Sequence, residues 1–268
     1  MTLRTSLALL VLLALPGGGA RACEVEAGAP DAPARTQVAV PETALLVGSS
    51  SFEWGLGPAL ARQLEDVGVR QVINAGRRST GLARLDFHDW LAEAEALVQA
   101  HHPGLVVVQL GGNDAQHLRS PTGRRVADWG SDDWTETYAN RVRSLLAILG
   151  REGAPVAIVG LSHPEEPGYA RKVATINALW SVVAAERGAW FLGTWDLTSA
   201  PDGAPLIHRD VGGRLRRVRG DDGIHLTSTV AAWVAAELGR ELARHLDRKA
   251  ACALDPVAEL PSTPADAP

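Results

Sequence analysis

The chain has only two cysteines, Cys23 and Cys252, so at most one disulfide can form within its 268 residues. It has no apolar stretch of about 18 residues or more, which argues against a spanning helix. No heptads or short-period repeats appear, which argues against a coiled coil or a solenoid. Strong positive charge is also missing. The formal net charge is -5, unlike the basic balance of a general nucleic-acid binder. There is no glycine-rich phosphate loop with a lysine, so a nucleotide enzyme is unsupported. His101-His102 reads as a polar helix end before Pro103, and His163, Glu165 and Glu166 fit no usual zinc spacing. Neither a metal nor a cofactor is expected.

What is present is a hydrophobic fraction of 46%, ample for one sizeable core. The beginning of the chain carries an address. Arg4 precedes the apolar run "LALLVLLAL", and Ala20 and Ala22 form an A-x-A arrangement. Residues 1–22 therefore read as a secretory signal peptide cleaved after Ala22, with an uncleaved anchor as the rival reading. The mature protein is expected to be secreted or periplasmic, with no stable membrane span. Cleavage makes Cys23 the first mature residue. Lipidation there is the alternative to a Cys23–Cys252 disulfide, but the preceding Ala-Arg-Ala lacks the leucine and small uncharged residue that lipidation sites resemble. A bridge closing so long a loop contributes ~3–5 kcal/mol in the chain-entropy model.

Residues 23–42 read as a flexible strap and 251–268 as a disordered Pro/Ala-rich tail, leaving one domain over 43–250. Within it, strand-length apolar runs at 44–48, 69–74, 104–110, 155–161 and 189–195 alternate with helical patterns. The helices are expected at 58–68, about 88–101, 134–150, 168–188 and 228–246. This alternation predicts an α/β fold with a mostly parallel sheet. Five strands suit a three-layer α/β/α, flavodoxin-like architecture, in which ligands gather at the carboxyl ends of the strands.

Four polar segments fall at those ends. "VGSSS" follows the first strand, a glycine-containing loop from Gly76 to Gly81 follows the second, "GGND" (111–114) follows the third, and "DDGIH" (221–225) precedes the last helix. A serine hydroxyl needs a base, and the base needs a partner that fixes its tautomer. Asp222 can accept the Nδ1 proton of His225 and leave Nε2 facing a serine. Asn113 can offer a side-chain amide to a developing oxyanion, and a glycine after the second strand can add a backbone N–H. Among Ser49, Ser50 and Ser51 these considerations alone do not choose.

The blocks "VGSS", "NAGRRSTGL", "LGGND" and "DGIH", in this order, resemble those of the SGNH hydrolases, also called GDSL esterases and lipases. The resemblance runs from about residue 43 to 247. It is similar to an exported bacterial subgroup with "STGL", "GxND" and "DGIH-T" blocks, here Ser79 to Leu82, Gly111 to Asp114, and Asp222 to Thr227. The resemblance implies Ser50 as nucleophile, with Ser51 second, and Asp222 and His225 completing the triad. It implies Asn113 and a glycine as oxyanion donors, Gly81 first and Gly76 as the alternative, together with the Ser50 amide. Two departures stand out. Ser49 occupies a position where the family usually has aspartate, and "SHPEEPGY" (162–169) differs from the proline-led pattern expected there.

The function these readings imply is an exported serine esterase acting on a small acyl ester, an O-acetyl group on a glycan in the first instance. An O-acetyltransferase fed by a membrane-bound acyl donor, and a catalytically impaired glycan-binding module, are the alternatives. "RLRRVR" (214–219) reads as a solvated loop, or else as an attractor of anionic glycan. Trp129 and Trp134 are placed to stack on sugar rings, whereas Trp180, Trp190 and Trp233 are assigned to the core.

Overall fold

The apolar run after Glu42 becomes the first strand, β1 (Thr43–Gly48), with Ala44 to Val47 all fully buried. In this computed structural model, residues 39–246 are described, and they belong to one compact unit. The signal segment, both cysteines, most of the strap and the tail lie outside the described residues. β1 leads through a short π-helix (Ser51–Gly55) into α1 (Leu56–Val67), then β2 (Gln71–Gly76), α2 (Trp90–His101) and β3 (Leu105–Gln109). A hairpin, β4 (Leu118–Arg119) with β5 (Arg125–Ala127), precedes α3 (Asp132–Leu149). The chain continues through β6 (Val156–Val159), α4 (Pro167–Arg187), β7 (Trp190–Leu192) and a 3-10 turn (Asp196–Thr198). A second hairpin, β8 (His208–Val211) with β9 (Arg214–Arg217), comes before α5 (Ser228–His245).

Five parallel strands form the central sheet in the order β2-β1-β3-β6-β7. This is the flavodoxin-like order, and its reversal point falls between β1 and β3. Because side chains alternate across a strand, each central strand serves two cores. Leu45, Val47, Val106, Val108 and Ile158 pack with α2, α3 and α4, while Leu46, Leu105, Val107, Ala157 and Val159 pack with α1 and α5. Burying each valine, leucine or isoleucine among them stabilises the fold by about 1.5–3 kcal/mol before entropy is subtracted.

Local chemistry sets the helix ends. The Asp89 carboxylate accepts the Leu91 and Ala92 amides at the start of α2, and Ser131 accepts the Trp134 amide at the start of α3. Glu166 caps α4 just ahead of Pro167, while Gly68 (φ 111°) and Gly188 (φ 65°) close α1 and α4 in the left-handed conformation. β2 lies two residues later than the pattern predicts. Val69 is spent on core packing, and the Arg70 and Gln71 amides both donate to the Glu42 carbonyl before pairing begins. The fifth strand is shorter than predicted, because the chain leaves the sheet after Leu192 and turns through the buried Thr194 toward the 3-10 turn.

Candidate active site

The C-terminal ends of β1 and β3 and the loop before α5 meet at one cavity of about 310 Å³. Ser50 follows β1 after one residue, Ser49, and precedes the π-helix, with helical backbone angles of φ -55° and ψ -36°. The fully buried Phe52 anchors this turn. Its ring lies where a Cβ on Gly48 would come within 2.5 Å, so the turn requires glycine there.

Ser50 Oγ lies 2.7 Å from His225 Nε2, and His225 Nδ1 lies 2.5 Å from Asp222 Oδ2. Asp222 Oδ1 accepts the backbone amides of Ile224 (2.9 Å) and His225 (3.0 Å). Aspartate, glycine and histidine thus form one self-bonded turn, with Gly223 at φ 65°. The turn is tied at its base, since Gly220 donates to the His225 carbonyl and Glu165 donates to the Gly223 carbonyl. Burial pushes the Asp222 carboxyl up, but the His225 ring, the two amides and the histidine charge together hold it below its ordinary value. Ionised Asp222 then keeps the proton on Nδ1 and leaves Nε2 as acceptor for the serine hydroxyl.

The opposite wall is built by the "GGND" loop. Asn113 Nδ2 donates to the Thr80 carbonyl at 2.9 Å. A carbonyl can only accept, so this bond fixes the amide with its nitrogen toward Thr80, and one N–H remains unspent by that bond. Asp114, 1% exposed, staples the two loops together: its carboxylate accepts the Leu82 amide (3.0 Å), the Ala83 amide (2.8 Å) and the Tyr138 hydroxyl (2.7 Å). Burial raises the pKa of Asp114 against these three donors and against the Arg141 charge. Arg141 braces the same loop by donating to the Leu82, Ala83 and Arg119 carbonyls. The Tyr169 hydroxyl donates to the Gly112 carbonyl at 2.5 Å.

The structure brings Ser50, His225 and Asn113 to the cavity wall and joins Asp222 to them through His225. Ser51 also lines the cavity, but the bond to His225 is made by Ser50. The two glycines lie elsewhere. Gly76 donates its N–H to Asn74 Oδ1 at 3.0 Å and packs against the π-helix backbone. Gly81 is buried against Asp114, where a Cβ would stand 2.1 Å from Oδ1. Neither lines the cavity. In the same loop Ser79 adopts φ 61°, a left-handed conformation costly for a residue other than glycine.

Sequence reasoning missed several contributors. Trp54, 58% exposed, stands at the rim with Arg78 over its face, 5.1 Å from the ring centre. Leu161, Val173, Ile224 and Leu226 supply an apolar side to the cavity. Trp54 falls four residues after Ser50, which is the one signal the sequence carried; the aliphatic positions carried none. Arg219 is fully buried, and its side-chain nitrogens find no hydrogen-bond partner among the described residues. Burial draws its pKa down to about 10, opposed by the charges of Glu165 and Asp222.

His163 is buried, stacked on Trp195 and bonded to Ser199, while His102 ends α2 and pairs with Glu152. Among the described residues no group of three or more His, Cys, Asp or Glu could hold a metal, and no helix is long and apolar enough to cross a membrane. The basic segment is no simple loop: residues 214–217 form the exposed strand β9. Trp134 is 1% exposed and belongs to the core, unlike the half-buried Trp129. Trp180 is buried as predicted, and Trp190 and Trp233 are half-buried but pack against the core between the sheet and α1 and α5.

Residues 43–241 match the family described as "Protein of unknown function (DUF459)". No curated protein sequence matches the chain significantly. Similar solved structures include the lipase/acylhydrolase from Enterococcus faecalis, 17% identical, with a TM-score of 0.56 over 77% of this chain and 97% of that one. TesA is 23% identical, with a TM-score of 0.54 over 76% and 99%. The acetyl xylan esterase AlAXEase is 15% identical, with a TM-score of 0.52 over 73% and 97%. The likeness to these structures is one of fold. The chain belongs to the DUF459 family and has the three-layer fold of the SGNH hydrolases that its sequence blocks resemble.

Proposed function

We propose that this chain is an exported serine esterase that removes a small acyl group, O-acetyl on a glycan in the first instance, through an acyl-enzyme. One observation carries the reading: the unbroken Ser50–His225–Asp222 hydrogen-bond chain at a cavity that Asn113 also lines. Ser50 Oγ attacks the ester carbonyl as its proton passes to His225 Nε2. The C–O bond to the alcohol then breaks, and His225 returns the proton to the leaving sugar oxygen. Water next adds to the acyl-enzyme, giving its proton to His225, and free acid departs as Ser50 regains a proton. The second N–H of Asn113 and the Ser50 amide serve the oxyanion. The Ser50 amide lies at a helix start, where amides lack partners one turn back.

The size and partly apolar wall of the cavity favour a short acyl chain, and the likeness to an acetyl xylan esterase fold agrees with an acetylated glycan. Export rests on the signal-like residues 1–22. The assembled triad argues against an impaired binding module. Purified protein should hydrolyse p-nitrophenyl acetate, and Ser50→Ala should lower kcat by roughly 10⁴-fold or more while Ser51→Ala stays active. Equal rates for wild type and Ser50→Ala would end the proposal. Acetyl transfer to added glycan that outpaces acetate release would replace hydrolase by transferase.

A further inference from the structure

Next to the catalytic cavity runs a second, more open groove of about 620 Å³, between the first turns of α3 and α4. Tyr169 lines both, so the two spaces share one wall. Trp129 forms one side of the groove, and Arg171 and Lys172 form the other. We propose that this groove is a subsite for a negatively charged glycan, holding the acidic sugar next to the one whose ester sits at Ser50.

Three observations support this ligand class. The Trp129 indole is half-buried and held edge-to-face on Trp134 at 4.5 Å, so it offers a sugar ring a surface that needs no further ordering. Trp134 in turn stacks on Tyr138 at 4.7 Å, and the Tyr138 hydroxyl donates to Asp114. The platform is therefore backed by the buried aromatic rings at the start of α3.

Charge is the second observation. Arg171 and Lys172 are exposed, and the acid facing them, Glu166, already accepts the Gly168 and Tyr169 amides. Those two bonds, with the two cations, hold the Glu166 carboxyl below its ordinary value. Two cations and one engaged carboxylate line the groove, with Asp132 and Asp133 exposed on the first turn of α3 but outside that lining, and a guanidinium suits a carboxylate or phosphate fork. Position is the third. Both helices begin at the carboxyl edge of the sheet, where Ser50 lies. A polymer chain entering the catalytic cavity past Tyr169 must cross this surface.

The proposal rests on the esterase reading, and the test separates the two. Wild type, Trp129→Ala and the Arg171→Glu/Lys172→Glu double variant are assayed on p-nitrophenyl acetate, neutral acetylated xylan and acetylated polygalacturonate. The small ester should be cleaved equally by all three. On the acidic polymer, each variant should raise KM about tenfold or more, equivalent to about 1.4 kcal/mol, with kcat little changed. On the neutral polymer the charge reversal should have no effect.

An unchanged KM on the acidic polymer, or a rise from the charge reversal that is equal on both polymers, overturns the proposal. If no ester is cleaved, the esterase reading falls, and calorimetric titration decides the groove alone. Wild type should bind deacetylated polygalacturonate oligomers or a phosphorylated oligosaccharide, whichever anion the groove prefers. That binding should weaken with salt and vanish in the double variant. No binding of either anion ends the proposal.

Discussion

Replacing Asp114 by asparagine tests how the oxyanion side of the site is held. The carboxylate is 1% exposed and accepts three bonds, one at Oδ1 from Ala83 and two at Oδ2 from Leu82 and Tyr138. Asparagine keeps a single acceptor oxygen. If that oxygen serves Leu82 and Tyr138, its NH₂ group must face the Ala83 N–H, donor against donor. One charge-assisted bond is lost and one buried amide is left unpaired, a cost of about 2–4 kcal/mol. Removal of a buried charge offsets part of this, because burial already pushes the Asp114 carboxyl up, but Arg141 then loses its counter-charge.

Thermal unfolding followed by circular dichroism should therefore show the midpoint falling by roughly 5–15 °C. Tyr138→Phe should cost less, about 1–2 kcal/mol, since it removes one donor and unpairs the Trp180 indole N–H. In Asp114→Asn, kcat on p-nitrophenyl acetate should drop about 10- to 100-fold with KM nearly constant, because Asn113 shifts while the triad stays intact. A variant with wild-type melting temperature and wild-type kcat would refute the assignment of Asp114 as the staple between the two loops.

Asp222→Asn should reduce kcat by on the order of 10³–10⁴-fold, because asparagine stabilises the wrong tautomer of the imidazole. The folded-state pKa of Asp222 is lowered, so its contribution to stability is present above the unfolded value near 4 and is lost as the pH falls through the folded value. Melting curves should accordingly show the gap between wild type and Asp222→Asn closing as the pH drops below about 4; a constant gap would contradict the shift. Gly81→Ala drives a Cβ to 2.1 Å from Asp114 Oδ1, within a carboxylate that has no room to retreat. It should cost about 1–3 kcal/mol in urea unfolding and lower kcat as Asp114→Asn does.

The fold was legible because its strands and helices differ in period. β3, buried from Leu105 to Gln109, and the long amphipathic α3 announced themselves by pattern alone. The two small hairpins did not. β4 has two residues, and β9 is exposed throughout, so neither offers the apolar alternation that marks a half-buried strand. The π-helix at Ser51–Gly55 is a matter of close packing around Phe52, which depends on the nearby glycines 48 and 57 and on Gly76 of the neighbouring strand β2.

The Asp222–His225 pair was legible because the two lie three residues apart and close on each other within one turn, whereas Ser50 was singled out only by the resemblance. The glycines that the resemblance implies as oxyanion donors, Gly81 and Gly76, do not line the cavity, and their places are explained by packing and a local bond. Ser49, which stands where the resemblance leads one to expect aspartate, resolves differently. Its side chain is nearly buried, its amide donates to the Gln109 carbonyl at 3.3 Å, and its own carbonyl accepts the Phe52 and Glu53 amides at 3.1 and 3.0 Å. All of these bonds are made by the main chain, which any non-proline residue supplies equally well. The turn that presents Ser50 to His225 is therefore held by backbone geometry and by the missing Cβ at Gly48, and a serine at position 49 leaves it intact.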